Sequence, residues 1–96
     1  MTTREFTDLD VWKEAHQLTL MVYRAVQKFP REEQFALAQQ IRRSVSSIEA
    51  NIAEGHGRFG KAEFHHFLNI ARGSLSETQC HLLVARDLGY LTEEEW

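Results

Sequence analysis

Three runs of apolar residues at steps of three and four, with a break after each, decide what this chain folds into. In the first run Val11, Ala15, Leu18, Val22, Val26 and Phe29 recur at that spacing. Leu37, Ile41, Val45, Ile48 and Ile52 form the second. Phe64, Phe67, Leu68, Ala71, Leu75, Thr78, Leu82 and Ala85 form the third. Such steps place each set on one stripe of an α-helix, and no run alternates in the manner of a strand. The breaks fall at Phe29-Pro30, at Gly55-His56-Gly57 with Gly60, and at Gly89-Tyr90. The spacing predicts helices over about 9–29, 33–54 and 61–88 within a single domain spanning 1–96. Each helix is roughly 30 Å long at 1.5 Å per residue. Near-equal helices joined by short turns suit an up-and-down antiparallel bundle.

The end of the chain adds a fourth element. Thr92-Glu93-Glu94-Glu95 has the form of a capping box, with Thr92 as N-cap and Glu95 at the third helical position. Acidic residues there suit the positive end of a helix. A fourth helix is expected to start at about 93, and the sequence ends at Trp96. The expected fold is therefore all-α: an up-and-down antiparallel four-helix bundle whose fourth helix is cut off after its first turn. Such a bundle leaves an apolar groove for the rest of that helix, or for a partner helix, to cover.

Composition narrows the class. The 96 residues are 43% hydrophobic and 26% charged, the balance of a globular chain rather than a disordered, collagenous or membrane-spanning one. A single cysteine excludes an internal disulfide framework and suits a reducing compartment. Met1-Thr2-Thr3-Arg4-Glu5 has no apolar signal core behind it, so a cytoplasmic location is expected. The formal charge of −3 equals the three glutamates Glu93–Glu95, and the charges before them cancel. No basic domain exists, so contact with nucleic acid requires a local patch.

Each helix carries a second seam away from its main stripe when residues are set 100° apart. Trp12, His16, Leu20 and Tyr23 lie on the first. Ala36, Arg43, Ser47 and Ala50 lie on the second, and His66, Gly73, Cys80 and Val84 on the third. Gly73 in a helix interior costs about 1 kcal/mol relative to Ala, a cost that a close helix approach would explain. Small residues on a back face are also simply tolerated. Three helices with the same feature favour self-association, with Trp12, Leu20, Tyr23, Ala50, His66, Gly73 and Cys80 as the expected oligomer contacts.

Gly55-His56-Gly57-Arg58-Phe59-Gly60-Lys61 imitates two nucleotide motifs. It fits G-x-G-x-x-G, and it fits G-x-x-x-x-G-K-[ST] except that Ala62 replaces the magnesium-binding hydroxyl. Both motifs require a strand before the glycines, and here a helix precedes them. The simpler expectation is that Gly55 ends the second helix in a left-handed turn. Loop amides, Arg58 and Lys61 retain the chemistry to hold a nucleic-acid phosphate. Asn51, Glu54, Gly55, Gly57 and Arg58 read as a structural network tying the loop together by hydrogen bonds. In Arg42-Arg43, adjacent residues lie 100° apart, so Arg42 is expected to pair with a carboxylate inside the bundle while Arg43 points away. Arg43, Arg58 and Lys61 are thus the candidate nucleic-acid contacts.

Other constellations are incomplete. Glu63-x-x-His66 is half of a di-iron bundle site, which needs two such pairs and two further glutamates, so no metal or other cofactor is expected. The serines at 44–47 lack a Gly-x-Ser-x-Gly turn, and Cys80 lacks a basic neighbour, so no nucleophile and no enzyme is expected.

Several of these residues together resemble one family. They are Asp8-Leu9-x-Val11-Trp12, Gln40-Ile41-Arg42-Arg43, Ser47-Ile48, and Asn51-Ile52-Ala53-Glu54-Gly55-x-Gly57-Arg58. Glu63-Phe64-x-x-Phe67-Leu68-x-Ile70-Ala71-x-Gly73-Ser74-Leu75 and Leu88-Gly89-Tyr90-Leu91 continue the pattern. The chain is similar to the 23S rRNA intervening-sequence protein family of bacterial four-helix bundle proteins, from about Phe6 to Trp96. The resemblance implies an up-and-down bundle assembling as a ring-shaped homopentamer, encoded within or near rRNA intervening sequences and without enzymatic activity. Relatives in diversity-generating retroelements act as accessory proteins that bind nucleic acid and a reverse transcriptase. Glu49 departs from the pattern where the family often has Pro. The expected function is an oligomeric scaffold or accessory factor associated with RNA or DNA. The alternatives are a protein-interaction adaptor that binds no nucleic acid, or an accessory protein of a diversity-generating retroelement.

Overall fold

The polar residues between the stripes, as much as the stripes, fix how the helices meet. In a computed structural model describing residues 5–95, a 3-10 turn at Phe6–Asp8 leads into α1 (Asp10–Val26), and a second 3-10 turn at Arg31–Glu33 precedes α2 (Leu37–His56). A tight loop then leads to α3 (Lys61–Asp87), and no strand occurs among the described residues. Met1–Arg4, the start of the segment behind the location reading, and Trp96 lie outside the described residues.

Contacts across the seams run antiparallel. Between α1 and α2, His16 meets Glu49 at 2.9 Å, and Thr19 Oγ1 donates to the Val45 carbonyl at 3.3 Å. Between α2 and α3, Thr78 Oγ1 donates to Ser44 Oγ at 2.8 Å, and Ser47 and Ser74 share a hydrogen bond of 2.9 Å. These hydroxyls also return to carbonyls of their own helices, Thr78 to Ser74 and Ser44 to Ile41, so the buried polar atoms are satisfied. Ile41, Val45, Ile48 and Ile52 of α2 are buried at the centre. α2 packs against both other helices, whereas no Cα of α1 comes within 8 Å of a Cα of α3.

That gap leaves an open groove of about 700 Å³ between α1 and α3. Leu18, Met21, Val22 and Ala25 line one side, and Leu82 and Leu91 the other. At its end Lys28 Nζ donates to Glu95 Oε2 at 2.9 Å. The capping box closes reciprocally: Thr92 N–H donates to Glu95 Oε1 at 3.0 Å, and Glu95 N–H to Thr92 Oγ1 at 3.2 Å. Glu93–Glu95 form a turn within it.

The structure revises several expectations. α1 stops at Val26, three residues before the predicted end, because Pro30 restricts the chain ahead of it. Gln34 then caps α1 from outside, its Nε2 donating to the Val26 and Phe29 carbonyls at 3.0 and 3.1 Å. With residues 31–36 used in this way, α2 starts at Leu37 rather than near 33. Val11 is 47% exposed, since Trp12 packs against the core at that level instead. Gly55 is not the left-handed residue. It lies buried within α2, and a Cβ there would stand 2.7 Å from the Phe67 Cβ. Gly60, the N-cap of α3, has a φ of 88°, a backbone conformation that favours glycine. At the far end of α3, Gly89 has φ of 81°, and the Tyr90 N–H reaches back to the Ala85 carbonyl in a Schellman motif.

Candidate functional site

The candidate basic residues lie on α2 itself and around the loop that joins it to α3, in contrasting states. At the C-terminal end, Arg58 donates to Glu54 Oε1 at 2.9 Å, four residues back. Its guanidinium also lies 5.3 Å from the centroid of the Phe67 ring. The hydrogen bond and charge of Glu54 hold Arg58 above its ordinary pKa. The Gly57 N–H closes α2 on the Ala53 and Glu54 carbonyls. The Arg58 charge is therefore paired with the end of α2, though the side chain stays 52% exposed. Asn51 is turned away from this network: its Nδ2 donates to the Ser47 carbonyl and hydroxyl at 2.8 and 2.9 Å. Beyond Arg58 the Phe59 ring is 98% exposed. Lys61, exposed at the start of α3, forms no ion pair among the described residues.

Toward the other end of α2, the adjacent arginines part as their 100° separation predicts. Arg42 turns inward, but its partner is not a carboxylate. Its Nη1 donates to Gln34 Oε1 at 3.2 Å and its Nη2 to the Gln34 carbonyl at 2.7 Å. Gln34 in turn caps α1, so Arg42 steadies the α1–α2 connection. A neutral amide serves here because it both accepts from the guanidinium and donates to the helix carbonyls. Arg43 is exposed, with no ion pair among the described residues. It lies about 20 Å along α2 from the Arg58 loop, so one chain does not gather Arg43, Arg58 and Lys61 into a single patch.

The second seams are partly used inside the chain. Trp12 is half-buried, stacked on His16 at 4.7 Å with Phe6 edge-on at 5.3 Å. His16 contacts Glu49 at 2.9 Å, which ties this cluster to α2. Ser47 belongs to the α2–α3 contact and not to a free face. Leu20 is half-buried, whereas Tyr23, Ala50, His66, Gly73 and Cys80 are exposed. Nothing stands within 4 Å of a Cβ placed on Gly73. Among the described residues no group of three or more His, Cys, Asp and Glu side chains lies close enough to share a metal ion. Nor does any helix of the described residues have the length and apolarity to cross a membrane.

Spacing alone did not reveal Gln34 or Phe35. Both fall in the turn before α2, outside any periodic stripe, and their roles depend on where that turn sets them down.

A family model described as 23S rRNA-intervening sequence protein matches residues 7–96. No curated protein matches the chain closely enough to count as a relative.

Proposed function

The chain belongs to the 23S rRNA-intervening sequence protein family, and on that premise we propose that it is a non-enzymatic, oligomeric scaffold that associates with RNA or DNA through Arg43 and Lys61, with Arg58 in support. The observation that carries this reading is the difference in partners among the basic residues. Arg42 and Arg58 are engaged by Gln34 and Glu54, while Arg43 and Lys61 are exposed without a carboxylate partner among the described residues. A homo-oligomer, a pentamer by family resemblance, repeats these separated cations around a ring. It thereby supplies the density of charge that one chain of formal charge −3 lacks. In this reading the bundle has four helices, and the helix started by Thr92–Glu95 covers the groove between α1 and α3. A cytoplasmic setting fits the exposed, unpaired Cys80.

Filter binding of the assembled protein to structured RNA and DNA tests the proposal. Affinity is expected to fall linearly with salt on logarithmic axes, and neutralising Arg43 or Lys61 is expected to flatten the slope. Absence of salt-dependent binding overturns it.

The exposed Ile70, Leu83 and Val84 of α3 favour a second reading, an adaptor for protein partners with no nucleic-acid role. A partner recovered after nuclease treatment, with no binding to nucleic acid, would support that reading instead.

A further inference from the structure

At the start of α2, Ala36, Gln39, Gln40 and Arg43 stand three and four residues apart and share one side of the helix. Together with Phe35 they line a shallow hollow of about 260 Å³. The Phe35 ring is 88% exposed, held in water by the turn before α2. No carboxylate lines the hollow, and the Arg43 guanidinium has no ion pair among the described residues. Gln39 and Gln40 are both exposed. Each amide presents a donor and an acceptor side by side.

An aromatic platform, a cation and two amides complement the three parts of a nucleotide. Every base has a π-face that stacks on an aromatic ring. Base edges offer donors and acceptors to the amides, and a guanidinium grips phosphate oxygens in bidentate fashion. An apolar protein side chain would satisfy the ring but would place the cation and amides against a group unable to bond them. The hollow is smaller than the clefts of about 300–1,000 Å³ that engulf drug-sized ligands, so it suits one planar ring and not a folded ligand. A base in a duplex has both faces covered by its neighbours, whereas an unpaired base can be splayed onto a protein ring.

We infer that this hollow is a stacking site for an unpaired base of single-stranded nucleic acid, with Phe35 as the platform, Gln39 and Gln40 at the base edge and Arg43 on the adjoining phosphate. The inference rests on the proposed nucleic-acid role and sharpens it, since it selects unpaired strands over duplex.

Equilibrium binding of the full chain is measured with unstructured oligouridine and oligothymidine and with a blunt duplex of equal length. The single strands are expected to bind more tightly than the duplex. Phe35→Ala is expected to weaken single-strand binding about tenfold or more and leave duplex binding unchanged, and Phe35→Tyr to retain most of the affinity. Arg43→Gln is expected to weaken single-strand binding and reduce its salt slope by about one. Because Phe35 is so exposed, its variants are expected to keep wild-type circular dichroism and melting. Unchanged single-strand binding in Phe35→Ala overturns the inference, as does an equal loss on duplex. So does a changed particle mass with unchanged binding, which would mark Phe35 as a contact between copies. Salt-dependent binding by the wild-type chain that ignores Phe35 removes this site and leaves the broader proposal standing. No salt-dependent binding to any probe removes both.

Discussion

The side of α2 that meets α3 and the opening between α1 and α3 are built from the same kinds of helix, yet they end in opposite states. Along α2–α3, hydroxyls interlock at Ser44–Thr78 and Ser47–Ser74, and Gly55 allows Phe67 to sit against the backbone. Among the described residues no such interlock crosses the α1–α3 opening. Leu18, Met21 and Leu82 face an unfilled groove, and Met21 is 62% exposed. Side chains with directional partners mark where the chain completes itself. Apolar side chains without them mark where α1 and α3 are left unjoined.

Two glycines within helices sharpen this contrast, and Gly55 should give the larger effect. A side chain at Gly55 meets the Phe67 Cβ and the Phe64 ring at 2.7 and 3.0 Å. Phe67 is held at its own Cβ, so rotating its ring cannot relieve the clash. Gly55→Leu is expected to destabilise the protein by about 2–3 kcal/mol, the cost of overpacking a close helix contact. For a domain of this size that lowers Tm by more than about 10 °C, measured by circular dichroism. An unchanged Tm would mean that α2 and α3 are less tightly joined than their hydroxyl contacts indicate.

Gly73 is the counterpart on α3, with open space around it. Gly73→Ala is expected to stabilise the isolated chain by about 1 kcal/mol through helix propensity, raising Tm by about 4–8 °C at high dilution. If copies assemble through this face, the same methyl group lowers the mass of the particle in light scattering at micromolar concentration. A higher Tm with unchanged mass would remove Gly73 from the oligomer contacts.

The sequence marked these two glycines unequally, for a physical reason. Periodicity made the three helices legible, and the Gly60 and Gly89 turns lie in the breaks it exposed. The capping box was readable because its partners are three residues apart. Periodicity says which residues share a face, but not what lies opposite them. Gly55 looked like a helix terminus because its conflict is with Phe67, twelve residues later and on another helix. Arg42 suggested a carboxylate because charge is visible in a sequence, whereas a glutamine poised to relay a hydrogen bond is not. The candidate site was legible only as charges. Arg43 stood out, but the exposed Phe35 beside it did not, because its place depends on how the turn before α2 is closed by Gln34.

The smallest expected effect tests the end of the open groove. Glu95 accepts from the Thr92 N–H and from Lys28, and these bonds, the backbone one first, hold its carboxyl below the ordinary glutamate range. Because the folded value is depressed, the contribution to stability is fully present above the ordinary range and lost as pH falls through the lower folded value. Acid should therefore release the turn at Thr92–Glu95 from Lys28 while the α2–α3 contact, which includes neutral hydroxyl pairs, persists. Amide exchange followed by NMR is expected to show Thr92 and Glu95 losing protection on acidification before Ser74–Thr78 do. Glu95→Gln should remove that pH dependence, because a neutral amide side chain does not titrate. If both regions lose protection together, the α1–α3 opening and the α2–α3 contact unfold as one cooperative unit, and the groove's end is no looser than the core.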